Sequence, residues 1–121
     1  MRKGKFAAQV AHASMKVFFD RIEDEKLGGF FGSDENVVTI CDFTPEMDKW
    51  RKGVFTKIVV GCEDLESLMG LYNNANSKGI PCALIEDCGK TEFKEPTITC
   101  IAIGPDNAEL IDTITGGCKL L

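Results

Sequence analysis

Residues 56–85, TKIVVGCEDLESLMGLYNNANSKGIPCALI, contain the pattern that decides the fold. The apolar run at residues 56–60 and the closing run PCALI each predict a buried strand. Between them, Asp64 is placed to cap a helix over residues 65–77, and Gly79 is placed to end it in the left-handed conformation. A strand, a helix and a strand at this spacing form a βαβ unit, so we expect the two strands to run parallel.

The residues after this unit add one strand and one helix. Residues 97–103 predict a strand. The link before it, residues 87–96, is too short for a crossover, so this strand should run antiparallel to its neighbour. Asp106 and Glu109 form a capping box for a last helix that ends at residues 116–117.

The residues before the unit predict mainly helices. Residues 5–22 have helical periodicity, residues 46–52 predict one or two helical turns, and residues 37–41 form a short apolar run. The predicted fold class is therefore α/β. We expect a single domain over residues 1–121, with a mixed β-sheet flanked by helices on both faces.

Composition narrows the class of protein. At 121 residues the chain is long enough for one domain, and no apolar run approaches the ~18 residues of a membrane span, so we expect a cytoplasmic protein. The six cysteines include no C-x-x-C pair, and there is one histidine, which argues against a zinc site and favours reduced thiols. A net charge of −5 argues mildly against broad nucleic-acid binding, although Arg2, Lys3 and Lys5 form a basic start.

The predicted first helix carries a polar row beside its apolar stripe. At about 100° per residue, the row spans only ~60° of the helix surface and borders the stripe, so its members should lie near the edge of the core. This pattern fits either a sheltered site or an ordinary solvated face. The row consists of Lys5, Gln9, His12 and Lys16, and the stripe consists of Phe6, Val10, Ala13 and Val17.

Other polar residues are also candidates for a site. His12 is the only histidine and can act as an acid or a base near neutral pH, although a single exposed histidine is more often incidental. Asp87 and Thr91 belong either to a ligand-binding loop after a strand end or to an ordinary turn. Thr97 and Thr99 alternate along the next strand and should share one face, although threonine is also simply a good strand former.

Four ordered segments resemble the signature of one known family. Residues 3–13, KGKFAAQVAHA, resemble its K-G-K-x-A-A-Q-x-x-H-A, and DCGKT at residues 87–91 is similar to its D-A-G-[RK]-T loop. TIT and IAIGP within residues 97–105 are similar to its T-x-T…x-I-G-P strand, and residues 111–121 are similar to its I-D-K-[IV]-T-G-x-L-K-L-L ending. That family is the second, archaeal and eukaryotic type of peptidyl-tRNA hydrolase, and the resemblance covers the chain outside residues 20–45.

The resemblance implies a function and a set of site residues. It implies hydrolysis of the ester between peptide and tRNA, which recycles the tRNA, by a small α/β domain that uses no metal and no organic cofactor and is often a homodimer. The implied catalytic residues are His12, Asp87, Lys5 and Thr91, and the implied substrate-binding residues are Gln9, Thr97 and Thr99. Basic residues at the helix start and in the loop should meet tRNA phosphates: Arg2, Lys3 and Lys90.

Hydrolysis of an ester needs an activated water and some stabilisation of the oxyanion. We expect His12 or Asp87 to deprotonate the water, and the sequence leaves open which of them is the base. A lysine beside a carboxylate favours its charged form, so Asp87 can hold Lys5 or His12 in place. Lys5 and the hydroxyl of Thr91 or Thr97 can then stabilise the negative oxygen.

The chain also departs from the family pattern. The family has a strand immediately before K-G-K, where this chain has only Met1 and Arg2, so this strand is expected to be missing or to be replaced by residues 37–41. Residues 20–45 have the character of a longer, glycine-rich insertion. The first departure and the acidic balance favour a rival function, a non-catalytic module that binds RNA or protein. The polar cluster alone would also fit an amidohydrolase that acts on a small substrate.

Overall fold

The computed structural model describes residues 2–23, 36–88 and 95–121, and they form an α/β fold. Its helices are α1 (Lys3–Phe19), α2 (Pro45–Lys52), α3 (Leu65–Ser77) and α4 (Ala108–Thr115). Its strands are β1 (Ile22–Glu23), β2 (Ile40–Cys41), β3 (Val60–Gly61), β4 (Cys82–Asp87), β5 (Thr97–Ile103) and β6 (Lys119–Leu120). The predicted α/β class is confirmed.

The antiparallel pair of β4 and β5 lies at the centre of the fold. The pairing runs from Cys82 opposite Ile103 to Asp87 opposite Thr97, which confirms the predicted antiparallel direction. The ladder is regular over its first half and shifts its register between Ile85 and the next residue. The pair therefore provides a twisted surface against which the helices can bury their apolar stripes.

Two buried clusters hold helices against the two faces of this pair. One cluster consists of Val17, Met47 and Ala83, and it joins α1 and α2 to β4. The other consists of Ala75, Ile80 and Ile114, which join α3 to α4, with Cys82 packed against it. Cys82 and Ala83 are successive residues of one strand, so their side chains point to opposite faces. The predicted arrangement of helices on both faces is therefore present.

The predicted buried strand at residues 56–60 is wrong. Only the end of this run is a strand, β3, and Ile58 is 69% exposed. Trp50 Nε1 donates a hydrogen bond of 2.6 Å to the Thr56 carbonyl oxygen, so a side chain rather than a neighbouring strand satisfies that backbone acceptor. β3 pairs antiparallel with β6, and every sheet of the described residues is two-stranded and antiparallel. The predicted parallel pairing, and with it the mixed sheet, is therefore also wrong.

The short apolar run at residues 37–41 contributes β2. This strand pairs with β1, which places Ile22 opposite Cys41 in a separate ladder. Across the described ranges, β2 does not pair with β4 or β5. The expectation that this run replaces a strand of the main sheet is therefore wrong.

Helix α3 begins and ends as predicted. The Asp64 side chain accepts a hydrogen bond of 2.8 Å from the Ser67 backbone N–H, and this hydrogen bond holds the pKa of the carboxyl below its ordinary value. Gly79 follows the helix with a φ of +70°, which glycine adopts without steric cost. The local signals at both ends are therefore sufficient to define this helix.

The cap of α4 differs from the prediction by one residue. Asn107 is the N-cap, and its side-chain oxygen accepts a hydrogen bond of 3.2 Å from the Leu110 N–H. The predicted cap, Asp106, instead accepts a hydrogen bond of 2.6 Å from the Asn107 N–H. The Asp106 carboxylate is thus engaged one residue before the helix starts, which leaves the cap position to the asparagine.

Replacing Asn107 by alanine is expected to lower the free energy of unfolding by about 1 kcal/mol, because α4 loses its capping acceptor. Urea denaturation of the purified variant measures this loss. Asp106→Ala is the matched control and should cost less, since its carboxylate caps no helical N–H. A larger loss for Asp106→Ala than for Asn107→Ala would contradict the assignment of the cap.

All six cysteines are free thiols. Burial raises the pKa of the Cys82 and Cys100 thiols, so both stay protonated at neutral pH and can donate hydrogen bonds.

None of the helices in the described ranges is long and apolar enough to cross a membrane.

Candidate active site

A buried ion pair joins the end of β4 to the first turns of α1. Asp87 is the last residue of β4, and its side chain is only 4% exposed. Lys5 Nζ lies 2.5 Å from Asp87 Oδ2, and the lysine side chain is itself 15% exposed. A sheltered charge needs a partner of opposite sign, so this pair fixes the helix relative to the strand end. It also brings together the two sequence motifs that contain these residues.

Gln9 extends the ion pair into a small network. It lies one turn after Lys5 on α1 and is buried, although its amide is polar. Its Nε2 is 3.4 Å from Asp87 Oδ2, and its Oε1 accepts a hydrogen bond of 2.9 Å from the Thr99 hydroxyl. The threonine donor therefore orients the amide so that the NH₂ group faces the carboxylate. No buried side-chain nitrogen or oxygen in the described part of the chain lacks a hydrogen-bond partner.

An irregularity in β5 brings two successive residues to Gln9. Ile85 pairs with Cys100 but Glu86 pairs with Ile98, so Thr99 is an extra residue on this strand. Thr99 contacts the Gln9 side chain, and Cys100 Sγ lies 3.2 Å from the Gln9 carbonyl oxygen. Sequence reasoning missed the contact of Cys100 because the segment TITC contains no signal for a bulge.

His12 lies on the same side of α1 but outside this network. Its side chain is exposed and lines an open groove between α1 and β4. The groove is lined on the helix side by Met15, Lys16 and Phe19 as well, and on the strand side by Leu84, Ile85 and Glu86. His12 is therefore accessible to a ligand from solvent, whereas Asp87 and Gln9 are sheltered.

The remaining predicted site residues lie around this centre. Thr97 pairs with Asp87 across the strands, and its hydroxyl donates a hydrogen bond of 2.8 Å to the Glu95 carbonyl oxygen. Arg2 and Lys3 are exposed at the start of α1, before Lys5. Two further predicted residues, Lys90 and Thr91, lie outside the described residues.

The structure thus brings together Lys5, Gln9, Asp87 and Thr99. A buried carboxylate held by a cation and an amide, with an accessible imidazole nearby on the same helix, supplies groups that transfer protons near neutral pH. The combination defines the class of protein. It is a small α/β domain with a candidate acid–base site between a helix and a pair of strands.

The chain belongs to the family described as Peptidyl-tRNA hydrolase PTH2, whose model matches residues 1–121. It is 36% identical over 121 residues to a peptidyl-tRNA hydrolase of Sulfolobus acidocaldarius, covering 100% of this chain and 90% of that relative. It is 38% identical over 121 residues to one of Sulfurisphaera tokodaii, covering 100% of this chain and 88% of the relative. It is 38% identical over 118 residues to one of Nanoarchaeum equitans, covering 98% of this chain and 87% of the relative.

Proposed function

We propose that this chain hydrolyses the ester bond between peptide and tRNA in peptidyl-tRNA and so recycles the tRNA. The observation that carries this proposal is the sheltered Lys5–Gln9–Asp87 network, which is built from two of the motifs that resemble the hydrolase signature. A scaffold that only binds would not need a buried ion pair at this position, because replacing such a pair with apolar residues is often neutral or stabilising.

In this proposal, Asp87 positions Lys5 beside the scissile ester. Two donors, Lys5 Nζ and Gln9 Nε2, face the same carboxylate oxygen, so the amide helps to hold the carboxylate and the carboxylate restricts the lysine side chain. The ammonium group then stabilises the negative charge that develops on the carbonyl oxygen when water attacks. A prepositioned charge in a sheltered site is more effective than the same charge in water.

We assign the role of general base to His12. It is exposed beside the network, so it can take a proton from a water molecule that substrate brings into the groove. The water oxygen bonds to the acyl carbon, and the bond from that carbon to the ribose oxygen breaks. His12 passes the proton it took from water to the leaving ribose oxygen, and the peptide leaves as a carboxylic acid. The hydroxyls of Thr91 and Thr97 are proposed to bind the ester or its terminal ribose, and Thr99 to keep the amide of Gln9 in its orientation.

The basic start of α1 is proposed to bind tRNA phosphate. Arg2 and Lys3 are exposed there, and the first turn of a helix presents backbone N–H groups without intrahelical partners. Lys90 is proposed to add a further positive charge. Binding of tRNA should therefore weaken steeply as salt is added. We further propose that the protein acts in the cytoplasm, and that it forms a homodimer as implied by the resemblance.

Replacing His12 by alanine is expected to lower kcat for release of labelled peptide from N-blocked aminoacyl-tRNA by about 10²-fold, the usual contribution of a general base. Because His12 is exposed, the variant should keep the wild-type unfolding midpoint. Ser14→Ala on the same helix is the control and should keep wild-type turnover. If His12→Ala keeps wild-type kcat, the base must be another group, and Asp87 becomes the candidate.

A further inference from the structure

A second concentration of positive charge lies at the end of α2 and in the residues that follow it. The chain has 14 basic residues and a net charge of −5, yet residues 49–57 hold four lysines and arginines and no acid. Aromatic residues alternate with these cations. We call this surface the basic–aromatic patch, and its members are Lys49, Trp50, Arg51, Lys52, Phe55 and Lys57.

The aromatic rings of the patch continue a row of ring contacts that starts at α1. Phe18 of α1 stacks on Trp50 with ring centroids 5.6 Å apart and an interplanar angle of 16°. Trp50 in turn contacts Phe55, with centroids 4.4 Å apart. The Trp50 and Phe55 rings are tilted by 45°, and Phe55, at the outer end of this row, is 50% exposed.

The backbone holds Phe55 in a conformation that its side chain disfavours. Its φ is +61°, which is costly for a bulky residue and is maintained only when the surroundings enforce it. Two hydrogen bonds of 2.6 Å hold this turn: Trp50 Nε1 donates to the Thr56 carbonyl oxygen and Lys57 Nζ to the Phe55 carbonyl oxygen. Backbone strain of this kind is concentrated at binding sites, so the exposed ring has the character of a binding element.

The cations of the patch are available to a ligand. The side chains of Lys49, Arg51 and Lys52 are 78%, 54% and 66% exposed. Within the described residues, they form ion pairs with Glu46 and Asp48 of their own helix, and Arg51 also lies over the Phe43 ring, 5.8 Å from its centroid. Exposed pairs of this kind contribute little and rearrange readily. Lys57 Nζ lies 3.1 Å from the centroid of the Phe55 ring, so this cation covers one face of the ring and must move aside before a base can stack there.

The position of the patch relative to the candidate active site suits a long polyanion. Phe18, against which the patch stacks, is nine residues after Gln9 on α1. At about 1.5 Å per residue, the two lie about 14 Å apart along the helix axis. A nucleic acid strand that places its 3′ ester at Lys5 and Asp87 is long enough to reach the patch with nucleotides farther from that end.

We propose that the basic–aromatic patch is a second tRNA-binding surface, in which Lys49, Arg51 and Lys52 contact backbone phosphates and Phe55 stacks on an unpaired base. The inference rests on the proposed function, since it assigns the patch to the same substrate. RNA offers two features that such a patch can recognise. The exposed cations can contact the charged phosphates, and the exposed ring can stack on the face of an unpaired base. Val54 and Ile58 beside the ring are also exposed, at 91% and 69%, so an apolar protein partner is the other outcome of the test.

Two variants of the full chain test the proposal through the dissociation constant for deacylated tRNA, measured at several salt concentrations. The triple variant Lys49→Gln, Arg51→Gln, Lys52→Gln should raise Kd about tenfold and reduce the slope of log K against log salt by about two. Phe55→Gly should also raise Kd about tenfold, because it removes the stacking ring. Glycine suits a positive φ, so this variant should fold at least as well as the wild type.

The control is the double variant Lys78→Gln, Lys119→Gln, which removes two exposed cations elsewhere and should leave Kd within twofold of the wild type. In hydrolysis of N-blocked aminoacyl-tRNA, the patch variants should raise KM and keep kcat. If both patch variants keep the wild-type Kd for tRNA and the wild-type salt slope, the proposal is overturned. The patch would then be assigned to binding of a protein partner. Because tRNA binding is measured without turnover, failure of the proposed hydrolysis would give a different result: tRNA bound, patch variants weakened, and no peptide released.

Discussion

Asp87→Asn is expected to lower kcat for hydrolysis of N-blocked aminoacyl-tRNA by about 10³-fold, because Lys5 is then no longer held in place to stabilise the oxyanion. The asparagine has the same shape but no charge, so it can accept a hydrogen bond from Lys5 without holding its ammonium group by an ion pair. Peptide release under single-turnover conditions measures the chemical step. The KM for tRNA should stay within about threefold of the wild type, because the proposed phosphate contacts lie elsewhere.

The stability of this variant separates catalysis from folding. The side chain of Asp87 is 4% exposed and that of Lys5 is 15% exposed, so loss of the ion pair should cost about 1–3 kcal/mol in urea denaturation. This is less than the stability of a typical domain, so the variant should be folded in the assay. Asp112→Asn is the matched control, since Asp112 is an exposed carboxylate on α4 outside the groove, and it should keep turnover within about threefold of the wild type. A folded Asp87→Asn protein with wild-type kcat would remove Asp87 from the mechanism.

Lys5→Met is expected to lower kcat by a similar factor, about 10³-fold, and to destabilise the fold more. Methionine matches the length of lysine but removes the charge proposed to stabilise the oxyanion. It also takes the lysine charge away from the sheltered carboxylate of Asp87, which should cost about 3 kcal/mol. Kinetics on N-blocked aminoacyl-tRNA and urea denaturation measure the two effects independently.

The double variant Lys5→Met, Asp87→Asn tests whether the two residues act as one unit. The double variant has neither the lysine charge nor the carboxylate charge at this site. Its loss of unfolding free energy should therefore be about 1–2 kcal/mol smaller than the sum of the losses in the two single variants. Its kcat should be close to that of either single variant, because the second change removes a group that is no longer positioned. Fully additive effects on stability and on kcat would mean that the ion pair has no functional role. Lys3→Met, at an exposed position two residues earlier, is the control for loss of a lysine and should change KM more than kcat.

The sequence was sufficient where a local signal acts alone. Asp64 and Gly79 define the ends of α3, and the short link before β5 defines its antiparallel direction. The polar row of α1 was also visible, because helical spacing brings Lys5, Gln9 and His12 to one side whatever the rest of the chain does.

The remaining features depend on contacts between distant residues. The spacing of the polar row predicts Gln9 near the edge of the core, but Gln9 is buried, and the extra residue Thr99 in β5 supplies a donor to its amide. A bulge of this kind arises from pairing with β4 and has no signature in β5 itself. At residues 56–60 the sequence predicts a strand that the structure mostly lacks. There the indole of Trp50 donates a hydrogen bond to the Thr56 carbonyl oxygen, so a tertiary contact overrides the strand propensity of the run.

The most direct test of the central claim is release of labelled peptide from purified N-blocked aminoacyl-tRNA by this chain, followed over time at saturating enzyme. The wild-type protein is expected to cleave the ester and to give free tRNA and peptide acid as products. Both Lys5→Met and Asp87→Asn are expected to lose that activity. A folded wild-type protein that binds the tRNA and releases no peptide would contradict the account and indicate a binding module. Turnover of a small amide but not of the tRNA ester would contradict it as well, and would assign the same polar centre to an amidohydrolase.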